Sequence, residues 1–97
     1  MEFLVNIKLQ WTPNMDETLK QQVITDERSH AAVLIEKGHL VRMWRVPCRF
    51  ENWGVWRAKS ATELHQIISG LPAFPWMSDV AVTPLAKHPV DPSDYEV

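Results

Sequence analysis

Residues 16–37 read DETLKQQVITDERSHAAVLIEK, and they form the longest segment with a regular pattern in the sequence. Apolar residues recur there at spacings of three and four, the pattern of a helix with one face against a core. Asn14 and Glu17 resemble a capping box at its start, and Gly38 suits its end. The sequence therefore predicts one long helix. Its predicted apolar stripe consists of Leu19, Val23, His30, Ala31 and Leu34.

A carboxylate lies within this stripe. At about 100° per residue, Glu27 falls between Leu34 and Ala31 around the helix axis. An ionised carboxylate in that place must be paired, or its pKa must rise. A half-buried carboxyl with a raised pKa can act as a general base. Two alternatives stay open at this point: Glu27 can turn out to solvent, or it can form a structural ion pair. His30, in the middle of the stripe, is either a core histidine or a second candidate base.

Four segments have the pattern of strands. Residues 2–10 alternate, and the alternation predicts that Phe3, Val5, Ile7 and Leu9 face the core. Two further runs, 39–46 and 50–57, are separated by a short turn, which predicts an antiparallel hairpin. The fourth strand is predicted over 79–87, with Pro84 restricting part of it to an edge or a bulge.

A second helix is predicted between the hairpin and the fourth strand. It starts at the capping box formed by Ser60 and Glu63 and ends near Gly70 and Pro72. Residues 72–76 then form a rigid apolar loop. Residues 88–97 have no regular pattern and are predicted to be an irregular tail.

The element order is β-α-β-β-α-β. It predicts a single α+β domain over residues 1–97 with the ferredoxin-like arrangement, a four-stranded antiparallel sheet with two helices on one face. The other face of the sheet is left bare. Leu4 and Trp44, with Trp56 as a further candidate, make that face apolar and predict burial in a homo-oligomer. The alternative is a one-sided sheet with scattered exposed apolar residues.

Composition excludes several classes of function. The net charge of the 97 residues is −2 and no basic block occurs, which argues against nucleic acid as a partner. The single cysteine, Cys48, cannot form an intrachain disulfide and favours a reducing compartment. No apolar run approaches the roughly 20 residues of a membrane span, and the N-terminus has the pattern of a strand rather than of a signal peptide. We expect a soluble cytoplasmic domain with no membrane partner.

The motifs of metal and cofactor sites are missing from the sequence. The four histidines have no ligand spacing, and no glycine-rich phosphate loop or nucleophile motif occurs. We therefore expect neither a metal nor a cofactor. What remains is a set of polar residues among aromatic ones. Arg45 shares its strand face with Val41 and Met43, so it points toward Glu27 if that face meets the helices. It can then bind a substrate carboxylate through both nitrogens, or pair with Glu27.

Several motifs resemble the muconolactone delta-isomerase family over about residues 1–92. The opening strand, the acidic step at residues 25–28 and the closing His88-Pro89 are similar to the family's. Residues 43–45, Met-Trp-Arg, are similar to the family's L-W-R. Residues 71–77, Leu-Pro-Ala-Phe-Pro-Trp-Met, are similar to its L-P-L-F-P-Y-M. This last motif together with Trp-Arg is the most specific part of the resemblance.

The resemblance implies a ferredoxin-like subunit of a large homo-oligomer, a decamer built from dimers, that binds a small carboxylated lactone without metal or cofactor. The family reaction shifts a double bond in muconolactone to give the 3-oxoadipate enol-lactone. In this sequence the resemblance implies Glu27 as the base, Arg45 as the partner of the carboxylate or enolate, and Asn52 as a donor to the lactone oxygen. We predict Asn52, His30, Trp44, Phe50 and Trp56 as substrate-binding residues.

The sequence also departs from the family pattern. It has Phe50 where the family tends to have Tyr, Gly54 where it has Ser, and His30 where it has an apolar residue. Two hydroxyls are thus missing from one face of the third strand, which favours a different lactone or a larger, more apolar substrate. Two alternatives to the family reaction remain: altered chemistry, as in a chloromuconolactone dehalogenase or a biosynthetic tailoring isomerase, and a non-catalytic ligand-binding or assembly module.

Overall fold

The computed structural model describes residues 1–93. Its elements follow the predicted order βαββαβ, and a short 3₁₀ helix lies in the segment predicted as an apolar loop. None of its helices is long and apolar enough to cross a membrane. Residues 88–93 form neither helix nor strand, and residues 94–97 of the predicted tail lie outside the described part. The elements are β1 (Glu2–Leu9), α1 (Glu17–Glu36), β2 (Leu40–Arg45), β3 (Glu51–Arg57), α2 (Ala61–Ser69), the 3₁₀ helix (Phe74–Trp76) and β4 (Met77–Leu85).

The four strands form one antiparallel sheet in the order β2-β3-β1-β4. This confirms the ferredoxin-like α+β arrangement and the predicted hairpin of β2 and β3. The strand that contains Pro84, β4, lies at the edge of the sheet, where a missing backbone donor is tolerated. The register between β1 and β4 shifts by one residue between Lys8 and Leu9, which marks a bulge or irregularity in their pairing.

The core lies on one face of the sheet. Phe3, Val5 and Ile7 are at most 2% exposed, which confirms the core face predicted for β1. They pack in one cluster with residues of both helices and of β3. Trp56 lies directly opposite Phe3 in the sheet, so the two side chains share a face. The prediction of Trp56 on the bare face was therefore wrong, because this register places its side chain in the core.

A bulge in β2 changes which residues face the helices. Leu40 pairs with Trp56, but Arg42 already pairs with Val55, so Val41 is an extra residue in β2. An extra residue reverses the alternation of side chains across a strand. Leu40 consequently lies on the core face with Met43 and Arg45, whereas strict alternation predicted it on the opposite face.

The ends of α1 differ from the prediction at one cap. Asp16 is the N-cap and its side chain accepts a hydrogen bond of 3.0 Å from the backbone N–H of Thr18. The predicted capping box from Asn14 to Glu17 was wrong, since Asn14 lies two residues before the cap with a φ of 61°. Gly38, with a φ of 79°, follows the helix as predicted.

The start of α2 matches the prediction. The Ser60 hydroxyl accepts a hydrogen bond of 3.1 Å from the Glu63 backbone N–H. The Glu63 carboxylate reaches back and accepts one of 3.0 Å from the backbone N–H of Lys59. These contacts satisfy backbone donors that the first turn of a helix leaves unpaired.

The buried side of α1 is rotated relative to the predicted stripe. Val23 and Leu34 are buried as predicted, but Leu19 is 48% exposed, and His30 is exposed as well. Both exposed residues lie at the same edge of the stripe. The centre of the buried side has therefore moved toward Glu27, which now lies near the middle of the face that α1 turns to the sheet.

The bare face of the sheet carries an aromatic pair. Trp44 and Trp53 lie opposite each other in β2 and β3 and are 42% and 41% exposed. Polar contacts surround them: the Asn6 amide donates to the Glu51 carboxylate at 3.0 Å, and Arg57 pairs with Glu2 at 3.1 Å. The face is thus more polar than the sequence indicated, but Trp44 and Trp53 give it an apolar centre.

We expect Leu34→Ala to lower the free energy of unfolding by about 2–5 kcal/mol, because it deletes buried methyl groups and leaves a cavity. Leu19→Ala is the matched control on the same helix, and its effect should stay within about 0.5 kcal/mol because the side chain is largely exposed. Urea unfolding measures both. Equal losses in the two variants would contradict the orientation of α1 described above.

Candidate active site

A cavity of about 550 Å³ lies between α1 and the core face of the sheet. Its volume is within the range of small-molecule sites. Glu27 enters it from α1, Arg45 from β2, and Phe50 lies at its rim with 66% of its surface exposed. Asn52 and Trp56 enter from β3. Five of the seven predicted site residues therefore line one cavity.

The Glu27 carboxylate is fixed by a backbone group. One of its oxygens, Oε2, accepts a hydrogen bond of 2.6 Å from the backbone N–H of Ala73. Ala73 lies between Pro72 and Pro75, whose rings fix the backbone φ angle. Its N–H is further held in place by the 3₁₀ helix, in which the Trp76 N–H donates to the Ala73 carbonyl at 3.0 Å. The loop after α2 therefore presents a rigid donor to the carboxylate.

The pKa of Glu27 is raised above its ordinary value. Burial removes water from the carboxylate and is the largest cause. The hydrogen bond from Ala73 and the positive potential of His30 both lower the pKa, but they offset only part of the desolvation. The result is a half-buried carboxyl group whose proton affinity is increased. Such a group is suited to accept and return a proton.

Arg45 lines the cavity without pairing with Glu27. In the part of the chain that is described, the ion pairs are Arg49 with Glu51 and Arg57 with Glu2. A structural Arg45–Glu27 pair was one of the alternatives left open by the sequence, and the structure does not contain it. Arg45 is exposed rather than buried, so its guanidinium lies where a ligand carboxylate can enter.

Two buried polar atoms in the cavity wall have no hydrogen-bond partner within residues 1–93. They are Oδ1 of Asn52 and Nε1 of Trp56. An unpaired buried polar atom costs roughly 1–3 kcal/mol, which a bound ligand can recover. A half-turn of the Asn52 amide exchanges its oxygen and its nitrogen, so this side chain can offer an acceptor or a donor.

The other two predicted site residues do not line the cavity. Trp44 lies on the opposite face of the sheet, with the Arg42 guanidinium 4.8 Å from the centre of its ring. It belongs to the Met-Trp-Arg motif that resembles the family's, but neighbours in a strand point to opposite faces, so Trp44 and Arg45 do not both line the cavity. His30 is exposed because of the rotation of α1, and it acts on the site only through its effect on the Glu27 pKa.

Sequence reasoning missed three contributors to the site. Lys20 lines the cavity and lies 5.6 Å from the centre of the Trp11 ring, which also lines it. The helical pattern contained the signal for Lys20, since it lies about two turns before Glu27 on the same side of α1. The third is the Ala73 N–H, and no side-chain pattern reveals a backbone donor that comes from a distant part of the chain.

Comparison with known proteins identifies the family. The sequence model described as muconolactone delta-isomerase matches residues 1–91. The chain belongs to the muconolactone delta-isomerase family. This confirms the resemblance seen in the sequence, and membership of this family makes the chain an isomerase. No three His, Cys, Asp or Glu side chains within residues 1–93 are grouped as they would be around a metal ion.

Individual relatives agree with this assignment. The chain is 34% identical to a muconolactone delta-isomerase of Cupriavidus pinatubonensis over 92% of its own length and 96% of the relative's. It is 29% identical to muconolactone delta-isomerase 1 of Acinetobacter lwoffii over 99% of both chains. A crystal structure of muconolactone isomerase is similar over 100% of both chains, with a TM-score of 0.90 and 29% identity.

A more distant structure shares the fold alone. It is a 5-chloro-2-hydroxyhydroquinone dehydrochlorinase of Burkholderia phenoliruptrix with a TM-score of 0.62 and 18% identity. It covers 91% of this chain and 96% of its own. A shared fold does not fix the substrate, which depends on the side chains that line the cavity of this chain.

The raised pKa of Glu27 predicts how stability depends on pH. Because the pKa is higher in the folded chain than in the unfolded one, folding favours the protonated form. The contribution of Glu27 to stability is therefore full below its unfolded pKa and is lost as the pH rises through its folded pKa. Glu27→Gln keeps the shape without the charge, so it should melt at a higher temperature than the wild type near pH 7.

The difference in melting temperature should shrink as the pH falls below the ordinary glutamate range. Thermal melts in a pH series measure it, with Glu36→Gln at the exposed end of α1 as the matched control. A Glu27→Gln variant that is less stable than the wild type at neutral pH would contradict a desolvated carboxylate at this position.

Proposed function

We propose that this chain isomerises a small carboxylated unsaturated lactone, muconolactone or a close relative, with Glu27 as the base. The observation that carries this proposal is a carboxylate with a raised pKa, held by the Ala73 N–H, in a cavity with Arg45 unpaired at its rim. The names of the relatives support the class of substrate. The family resemblance supports the 3-oxoadipate enol-lactone as product.

The chemistry requires one base that acts twice. Glu27 removes the proton from the ring carbon that bears the carboxymethyl group, and the electron pair spreads over the adjacent double bond onto the lactone carbonyl oxygen. The same carboxyl group then returns the proton to the carbon next to the carbonyl. The double bond moves by one position, and no atom is gained or lost. A half-buried base that exchanges slowly with water favours this return.

Arg45 supplies the partner for the substrate carboxylate. A guanidinium binds a carboxylate through two parallel hydrogen bonds, which fix orientation as well as position. Since Arg45 lies at the exposed side of the cavity, the carboxylate of the lactone stays near the mouth. The ring then reaches inward, toward Glu27. Lys20 and Arg28 also line the cavity and add to the positive potential that attracts an anionic substrate.

Asn52 supplies a hydrogen bond to the lactone. Its amide lies on the sheet side of the cavity, across from α1, and its Oδ1 is buried without a partner. With the amide turned so that its nitrogen faces the ligand, Asn52 donates to the lactone oxygen, where negative charge develops after proton removal. This is the role expected from the family resemblance.

We also propose that the bare sheet face binds a second copy of this chain, in a homo-oligomer as the family resemblance implies. Trp44 and Trp53 form its exposed centre. Glu2 and Glu51 are paired within the chain to Arg57 and Arg49. A face with an aromatic centre and internally paired charges is complementary to itself, as the isologous contact of a symmetric dimer requires.

Glu27→Gln should lower kcat on muconolactone by roughly 10²–10⁴-fold, the usual worth of a positioned base. Any solvent deuterium that the wild type transfers to the lactone should be lost as well, because Gln can neither accept nor return the proton. Rates by ultraviolet absorption and exchange by NMR in heavy water measure the two effects. Glu36→Gln is the control and should keep both activities. Full turnover by Glu27→Gln would place the base elsewhere.

Arg45→Lys should lower kcat/KM by roughly 10-fold or more, because an ammonium group cannot make the two parallel hydrogen bonds of a guanidinium. The matched control is Arg49→Lys, in the turn between β2 and β3, where the side chain is 70% exposed and pairs with Glu51. Steady-state kinetics on both variants measure the difference. If Arg45→Lys lowers kcat/KM no more than Arg49→Lys does, Arg45 does not bind the substrate carboxylate.

Sedimentation velocity should show a stable oligomer at micromolar concentration. Trp53→Glu should shift it toward the monomer, because it buries an unpaired charge in an apolar contact. Thr62→Glu, exposed on α2, is the control and should leave the sedimentation coefficient unchanged. A wild-type chain that sediments as a monomer would overturn the proposed contact.

A further inference from the structure

Trp56 has an indole N–H for which the fold supplies no partner. The side chain is 2% exposed and lies in the core, yet its Nε1 makes no hydrogen bond within residues 1–93. Buried tryptophan N–H groups usually find an acceptor. Trp56 also lines the cavity that contains Glu27. A ligand in that cavity is therefore the candidate acceptor.

Gly54 is the residue that allows the indole to lie where it does. A Cβ atom at position 54 would stand 2.8 Å from Nε1 of Trp56 and 3.3 Å from its Cδ1. It would also stand 3.4 Å from the carbonyl oxygen of Arg42. At a separation below 3.0 Å one of the two groups must move. The Trp56 indole is packed in the core, so it cannot move without disturbing its neighbours. Any residue larger than glycine at this position would displace the N–H.

The space around Gly54 gives a second reason for glycine at this position. Gly54 stands where the family tends to have Ser, and the sequence alone presents that as the loss of a hydroxyl. In the structure the absence of a side chain makes room for the Trp56 ring. Gly54 therefore allows the Trp56 N–H to lie at the cavity wall.

We propose that the Trp56 indole N–H, held over Gly54, donates a hydrogen bond to the lactone carbonyl oxygen of the substrate. Gly54 is the positioning residue for this donor. The inference rests on the proposed function and deepens it, since it names the group that the enzyme uses to select and activate the lactone. The substrate class is then a lactone whose carbonyl oxygen faces β3 and accepts this hydrogen bond.

The donor suits the charge that the reaction creates. When Glu27 removes the ring proton, the electron pair passes to the carbonyl oxygen, which becomes a stronger acceptor. An N–H fixed by packing stabilises that charge without reorganisation. Asn52 lies on the same face two residues before Gly54 and can supply the second hydrogen bond. Trp56 and Asn52 would then bind the carbonyl together, opposite the base.

The ligand reaches these atoms past Met43. Both Nε1 of Trp56 and Oδ1 of Asn52 are shielded from solvent in the present conformation. Met43 lies opposite Gly54 in the neighbouring strand, lines the cavity and is 43% exposed. A methionine side chain has three rotatable bonds and adapts readily. Its movement can open the two polar atoms to the lactone.

A double-mutant cycle tests the link between Gly54 and Trp56. Trp56→Phe removes the N–H and keeps an aromatic ring, and Gly54→Ala displaces the indole. Each should lower kcat/KM on muconolactone by roughly 10–100-fold, the range for one hydrogen bond in a buried site. When Trp56→Phe is already present, Gly54→Ala should have little further effect, because the clashing atom is gone. Ile68→Val, a core substitution on α2 outside the cavity wall, is the control and should keep full activity.

NMR of the Glu27→Gln variant tests the contact without any change at positions 54 and 56. In a ¹⁵N-labelled sample the signals of the five tryptophan indoles are recorded during a titration with muconolactone, and Trp56→Phe assigns the Trp56 signal. We expect the Trp56 N–H signal to move downfield more than those of the other tryptophans. This measurement decides the matter if the core substitutions fail to fold.

The outcomes separate this inference from the proposed function. Turnover by the wild type with an unmoved Trp56 signal at saturating lactone overturns the inference alone, and indicates that the N–H pairs inside the protein, with Asn52. Full activity of a folded Trp56→Phe variant does the same. If the wild type neither turns over nor binds muconolactone, the proposed function and the inference both fail.

Discussion

The Glu27 carboxylate accepts a 2.6 Å hydrogen bond from the Ala73 backbone N–H, and this contact joins α1 to the loop that follows α2. It keeps the carboxylate inside the cavity, where loss of water raises its pKa. Without this donor the side chain would be free to turn out to solvent, as an isolated glutamate on a helix does. The position of the Glu27 carboxylate thus depends on two prolines and a backbone group far along the chain.

The sheet provides the other wall of the site. The pairing of β1 with β3 places Trp56, Gly54 and Asn52 in one row on the core face. The bulge in β2 brings Leu40 into the core while Arg45 stays on the cavity side. The two walls carry different chemistry. The helix side contributes a desolvated carboxylate, and the sheet side contributes two buried polar atoms without partners within residues 1–93. This division follows from a fold with both helices on one face.

The element order, the core face of β1 and the hairpin followed from the sequence because alternation and helical periodicity depend on local residues. Glu27 and Arg45 could be predicted to lie near each other for the same reason, and the family resemblance added Asn52. Features that depend on contacts between distant residues did not follow. The orientation of α1 leaves His30 exposed, and the register of β1 and β3 buries Trp56. The bulge at Val41 places the Leu40 side chain on the core face instead of the opposite face. Trp44 lies on the bare face, as the alternation predicted, and so does not line the cavity with its neighbour Arg45.

The central claim is that a desolvated Glu27 carboxylate is the base of an isomerase. Its most direct test is the pKa of the Glu27 side-chain carboxyl, measured by ¹³C NMR on the free protein and compared with the acid limb of the kcat/KM profile on muconolactone. We expect both values to lie above the ordinary glutamate pKa and to coincide. A Glu27 pKa at or below the ordinary value, or an acid limb unrelated to it, would contradict a role for Glu27 as the base.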